Sequence, residues 1–142
     1  MQRITVATDG SASANRAVDA AASLAKATGY ELVILTIGGN VSGMELRRLA
    51  GAEGDLTKAL KAAADETLER ARKRAFRRGA LDVKVQSAWG DPAEVIIETV
   101  RRNKTDILVV GRRGHGRLSG LLLGSVSQKL TSLAPCAVMV VP

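Results

Sequence analysis

Five short strand-like runs, at residues 4–8, 31–37, 82–88, 107–110 and 136–141, alternate with four stretches in which apolar residues return every three or four positions. No other feature of the chain constrains its fold so strongly. Apolar recurrence at that spacing marks an amphipathic helix, and short apolar runs between such helices mark strands covered on both faces. Strands joined through helices pair in parallel, and right-handed crossovers place the helices on both sides of the sheet. The expected fold is α/β: a doubly wound three-layer α/β/α sandwich with a five-stranded parallel sheet. In such folds ligands sit beyond the carboxyl ends of the strands, where the winding reverses.

The helical stretches carry their own punctuation. Ala14, Ala17, Val18, Ala21, Leu24 and Ala25 line one face of a first helix, which Gly29 stops. A glycine-rich segment, residues 38–54, follows the second strand and reads as a loop. Leu56, Leu60, Ala63, Thr67, Ala71 and Ala75 mark the buried stripe of a long second helix over 55–78, ended by Gly79. Asp91-Pro92-Ala93-Glu94 starts a third helix, with Asp91 as cap, Pro92 in the first turn and Glu94 at the capping-box position. Leu123, Val126, Leu130 and Leu133 trace a fourth. There is no internal repeat, low-complexity tract or linker, so residues 1–142 are expected to form one domain.

Composition removes several classes. A chain of 142 residues buries roughly 70% of the surface its unfolded form exposes and needs neither disulfides nor metal to hold a core. The solitary Cys136 excludes a disulfide scaffold and any paired-cysteine zinc clip. No apolar stretch approaches the roughly 20 residues of a membrane-spanning helix, and the first residues enter a strand pattern without an apolar leader. The expectation is a cytoplasmic protein with no membrane association. With 21 basic and 14 acidic residues the net charge is +7, which favours anionic partners without choosing among them. Tyr30, Phe76 and Trp89 are the only aromatics, too scattered for a single-stranded nucleic-acid platform, and Trp89 is expected to pack at the end of the third strand. The basic run Arg70, Arg72, Lys73, Arg74, Arg77 and Arg78 falls at the end of the second helix, where cations complement the dipole.

Two loops after strands stand out. The first, Thr8-Asp9-Gly10-Ser11, lacks the GxGxxG of dinucleotide folds, and the chain holds no P-loop. The second runs from Gly111 through Arg112, Arg113, Gly114, His115, Gly116 and Arg117 to Gly124-Ser125. Glycines at 111, 114 and 116 can take positive φ and let backbone N–H groups approach an anion. Gly124 and Ser125 stand at the start of the last helix, where unpaired N–H groups and the dipole favour phosphate. Arg112, Arg113 and Arg117 read equally well as phosphate contacts or as exposed charge. Asp9 reads either as a ligand contact or as a cap of the first helix, a task also open to Ser11 and Ser13. His115, the only histidine, has no evident nucleophile or carboxylate partner and reads as a solvated loop residue.

Gly111, two residues, Gly114, nine residues and Gly124-Ser125 resemble the G-2x-G-9x-G-[S/T] nucleotide signature of universal stress proteins. Asp9, Gly90-Asp91-Pro92-Ala93, the block from Thr105 to Gly111, and Leu123-Gly124-Ser125-Val126 through Pro135-Cys136 extend the likeness over essentially the whole chain. The resemblance is to the ATP-binding branch and implies roles residue by residue. Asp9 would contact the ribose, and Ile37 and Gly38 would hold adenine through backbone groups. Gly111, Gly114, Gly124 and Ser125, with Val126 and Ser127 on the same helix start, would hold ribose or phosphates, with Arg113 beside them. Mg or Mn would accompany ATP, although the sequence marks no metal ligands.

The resemblance implies an ATP-binding regulatory module of the stress response, acting on an unidentified protein partner and not as a fast enzyme. A slow ATPase or phosphotransferase is the first alternative, weakened by the lack of a marked general base. A basic interaction module without nucleotide is the second, and nucleic acid is the disfavoured partner. The apolar run Cys136, Ala137, Val138, Met139, Val140 and Val141, placed at a sheet edge, invites pairing with a second copy. A homodimer through that strand is expected, with a charge at Val140 loosening it where that residue faces the partner.

Overall fold

The computed structural model describes residues 2–38, 56–113 and 123–142. Within them the chain runs β1 (Arg3–Ala7), α1 (Ala12–Thr28), β2 (Glu31–Gly38), α2 (Leu56–Arg77), β3 (Val83–Trp89), α3 (Pro92–Arg102), β4 (Ile107–Gly111), α4 (Ser125–Leu133) and β5 (Ala137–Val141). All five strands are parallel, in the order β3-β2-β1-β4-β5, with Ile4 level with both Leu32 and Ile107. Winding goes outward from β1 through β2 to β3, then returns to the other side of β1 at β4. That reversal opens a crevice between the carboxyl ends of β1 and β4.

Alternate residues of each strand feed two cores. Ile4, Val6, Leu32, Ile34 and Val109 face α1 and α2 together with Val18, Ala21, Leu68 and Ala71. Leu35, Leu108 and Val110 face the other way, against Ile96, Val100 and Leu130. The expectation of strands covered on both faces holds for β1, β2 and β4. It does not hold for β3 and β5, which lie at the edges and expose Val85, Trp89 and Met139.

Side-chain caps set the helix entries. Ser11 Oγ accepts from Ala14 N at 3.2 Å, Asp91 Oδ2 accepts from Glu94 N at 3.2 Å, and Gly29 ends α1 at φ 77°. The expected stripe of α2 holds at Ala63, Ala71 and Ala75 and shifts elsewhere, where Ala59, Ala64 and Leu68 take the buried places and Leu60 and Thr67 are only partly covered. Leu56 is exposed. At its far end Arg74 grips Asp19 of α1 with bonds of 2.8 and 3.1 Å and Arg78 adds a third at 3.1 Å. That clamp gives part of the basic run a structural partner.

α4 also departs from its expected stripe. Only Leu130 and Ser127 are buried, and Leu133 is 62% exposed. A helix of nine residues at the margin of the sheet turns little of its surface to the core. Ser127 goes inward because its hydroxyl is bonded to backbone there. No helix among the described residues is long and apolar enough to cross a membrane.

Candidate functional site

Backbone and hydroxyl bonds tie the carboxyl end of β1 to that of β2, and the residue after β4 to β5 and the start of α4. Thr8 N donates to Leu35 O at 2.9 Å and Thr36 Oγ1 donates to Thr8 O at 2.7 Å, which locks the end of β1 to the end of β2. Across the crevice, Arg112 N donates to Val141 O at 2.7 Å, and Arg112 O accepts from Gly124 N at 2.9 Å and from Ser127 Oγ at 2.7 Å. The start of α4 is thereby fastened to the residue that comes after β4.

Asp9 occupies the turn after β1 and is half-buried. Its Oδ1 accepts from Ser11 N at 2.9 Å, while Gly10 takes φ 82°. Ser11, not Asp9, caps α1, which separates the two roles that the sequence left open. Ile37 packs its side chain towards the α3 and α4 layer, and Gly38 closes β2 beneath the Trp89 ring. These two residues end β2 at the carboxyl edge of the sheet.

Gly111 does not take the positive φ open to it; the described positive-φ glycines are Gly10, Gly29, Gly79 and Gly90. What Gly111 supplies is the missing side chain. A β-carbon there would lie 2.6 Å from Ser13 Oγ and 2.8 Å from the Ser13 carbonyl carbon. The first turn of α1 therefore rests directly on the end of β4. At Gly124, a β-carbon would lie 3.3 Å from Arg112 O and 3.4 Å from Arg113 Cα, a milder crowding.

Gly124 is the N-cap of α4, extended at φ −65° and ψ 162°, and provides no side-chain cap. The first N–H groups of a helix have no intrahelical acceptor, so those of Ser125 and Val126 face outward with the positive end of the dipole. Ser125 is exposed; Ser127 is buried, its hydroxyl lying against Arg112 O and, at 3.1 Å, Gly124 O. Ser127 thus works as a tether under the helix start. Arg113 N approaches Ser13 Oγ at 3.5 Å, and Arg113 Cγ lies beside Gly124. Arg112 Nε is buried with no hydrogen-bond partner among the described residues. Gly114, His115, Gly116 and Arg117 lie outside the described residues, as does most of the 38–54 segment.

The structure therefore gathers Asp9, Gly111, Arg113, Gly124, Ser125, Val126 and Ser127 around one crevice, with Ile37 and Gly38 one strand further along. Sequence reasoning did not single out Ser13 for this place, although it touches Gly111, Arg113 and Val141 O. Its only signal was a serine two residues past the cap of α1. Among the described residues there is no cluster of three His, Cys, Asp or Glu side chains that would hold a metal ion. A cation accompanying a nucleotide would be held largely by the phosphates themselves.

The universal stress protein family model matches residues 1–142. The universal stress protein YxiE of Bacillus subtilis is 32% identical over 145 residues, with 98% of this chain and 97% of the relative covered. The universal stress protein Rv1636 of Mycobacterium tuberculosis is 32% identical over 140 residues, covering 97% and 94%. Among solved structures, a universal stress protein in complex with cAMP superposes with a TM-score of 0.76 at 33% identity, covering 99% of this chain and 97% of the other. The chain belongs to the universal stress protein family.

Proposed function

We propose that residues 1–142 form one ATP-binding regulatory domain of the cytoplasm, in which nucleotide occupancy changes the association of the protein with a partner. The observation that carries this reading is the uncapped start of α4, fastened by Arg112 O to the residue that follows β4, which leaves the N–H groups of Ser125 and Val126 without intrahelical acceptors at the carboxyl edge of the sheet. Amides fixed in this way bind phosphate without reorganising. The cAMP complex of a relative at 33% identity supports an adenine nucleotide as the ligand class. The glycine signature, Gly111, Gly114 and Gly124-Ser125, supports the triphosphate. Asp9 meets the ribose, the backbone of Ile37 and Gly38 the adenine, and Arg113 the phosphates, with Mg or Mn carried on the nucleotide.

A homodimer forms through β5, which has no partner strand on its outer side among the described residues and whose Met139 side chain is exposed. The domain holds nucleotide without fast turnover and has no nucleic-acid partner.

Gently purified protein, denatured and analysed by chromatography and mass spectrometry, is expected to release ATP at near one equivalent per subunit. ADP together with phosphate would transfer the reading to a slow ATPase. An empty protein that also fails to bind added Mg·ATP by calorimetry would overturn it.

A further inference from the structure

Trp89 is the only tryptophan in the chain and ends β3, level with Gly38 at the end of β2. Its six-membered ring covers Gly38. A β-carbon on Gly38 would lie 2.5 Å from both Cε3 and Cη2 and would also strike Cζ3. Any side chain at 38 would displace the indole, so the glycine and the tryptophan form a matched pair. Trp89 belongs to neither buried cluster, and 49% of it remains exposed. It is therefore not a core filler. The next two residues hold its backbone in place, since Gly90 turns at φ 133° and Asp91 caps α3. A large aromatic side chain so fixed and so exposed presents a ready surface at low cost in side-chain freedom.

The sheet order says what that surface meets. Read across the carboxyl ends, the strands run β4, β1, β2, β3. The amides of α4 lie beside β4, Asp9 beside β1, and the backbone of Ile37 and Gly38 at β2. Trp89 is the next position along the same line, about 14 Å from β4 at the usual strand spacing. A nucleotide laid along this line with its phosphates at α4 would bring its base to the ends of β2 and β3, beside this ring.

We propose that Trp89 is the wall of the base subsite, its indole packing against the purine ring, and that it makes affinity depend on an aromatic base. The inference rests on the nucleotide reading above and extends it to a residue outside the glycine signature. Base–aromatic stacking is worth on the order of a tenfold change in affinity.

Calorimetry on the full chain with ATP and with inorganic triphosphate tests it, using native protein, Trp89→Ala and Trp89→Phe. The expected result is about tenfold weaker ATP binding by Trp89→Ala, most of it restored by Trp89→Phe, with triphosphate bound equally by all three. Native tryptophan fluorescence should shift on saturation with ATP and stay constant with triphosphate. Equal ATP affinity in native protein and Trp89→Ala would overturn the wall while leaving the nucleotide reading intact. Parallel loss of ATP and triphosphate in Trp89→Ala would assign the residue a structural role and also overturn it. Failure of the native protein to bind ATP would remove the nucleotide reading, and the wall with it.

Discussion

Gly111 and Ser13 touch so closely that the end of β4 admits no side chain: a β-carbon on Gly111 would sit 2.6 Å from Ser13 Oγ and 3.0 Å from Ala14 N. The second of these atoms is backbone in the first turn of α1 and cannot turn aside as a flexible side chain would. Gly111→Ala is therefore expected to destabilise the fold by about 2 kcal/mol, the usual range for overpacking. Gly124→Ala, with its closest contact at 3.3 Å, should cost less than about 1 kcal/mol. Urea unfolding with unchanged slope would measure both. Equal midpoints for the two variants would mean that the α1 contact does not demand glycine.

Ser125 and Ser127 stand two residues apart and carry different loads. Ser127→Ala removes the buried hydroxyl at 2.7 Å from Arg112 O and should cost about 1 kcal/mol of stability. Ser125 is exposed, and Ser125→Ala should leave stability within about 0.5 kcal/mol. If the α4 start holds phosphate, Ser125→Ala should instead weaken ATP binding by roughly tenfold, the size of a hydrogen bond to a charged group. Thermal unfolding and calorimetry on the two variants separate the roles, and a stability loss at Ser125 would contradict the division.

Self-association through β5 has a sharper test than a charge at Val140. That side chain packs into the core against α3 and α4, so a charge there threatens folding itself. Met139 points to the other face and is 39% exposed. Met139→Glu is expected to shift sedimentation from dimer towards monomer while the circular dichroism spectrum stays native. Unchanged mass would count against β5 as the interface.

The alternation of strands and helices was legible because its signals are local. Gly29, Gly79 and Asp91-Pro92 act within a few residues of where they stand, and they mark the same boundaries in the structure. The clamp of Arg74 on Asp19 was not legible, since it joins residues 55 apart. The same holds at the site. The cluster Gly111, Gly124 and Ser125 could be read from spacing, but the reason for Gly111 lies in Ser13, and the burial of Ser127 lies in Arg112 O. The matching of Trp89 to Gly38 needed the register of β2 and β3. Contacts between distant residues leave no pattern in a single sequence.

Glu31 lies at the opposite, amino end of the sheet and gives the protein an acid-sensitive joint. Its buried carboxylate accepts from Lys84 Nζ at 2.8 Å and Arg3 Nε at 2.5 Å, joining β1, β2 and β3, while Arg3 also reaches Asn103 O. The hydrogen bond from Lys84 holds the carboxyl below the usual glutamate range against the upward push of burial, and Arg3 adds to the lowering. A group whose folded pKa is depressed binds protons more readily when unfolded, so stability falls as pH falls. The contribution of Glu31 is complete above the ordinary glutamate value of 4.5 and is lost as pH drops below that value and through its lower folded one. Because the Lys84 side chain is 64% exposed, solvent screens part of the cluster, and Glu31→Gln should cost about 1–2 kcal/mol at neutral pH. The variant should also lose part of the native protein's decline in stability between about pH 5 and pH 3, so that the two curves converge in acid. Urea unfolding at a series of pH values measures that convergence, and curves that stay parallel would show that the carboxylate of Glu31 carries no such linkage.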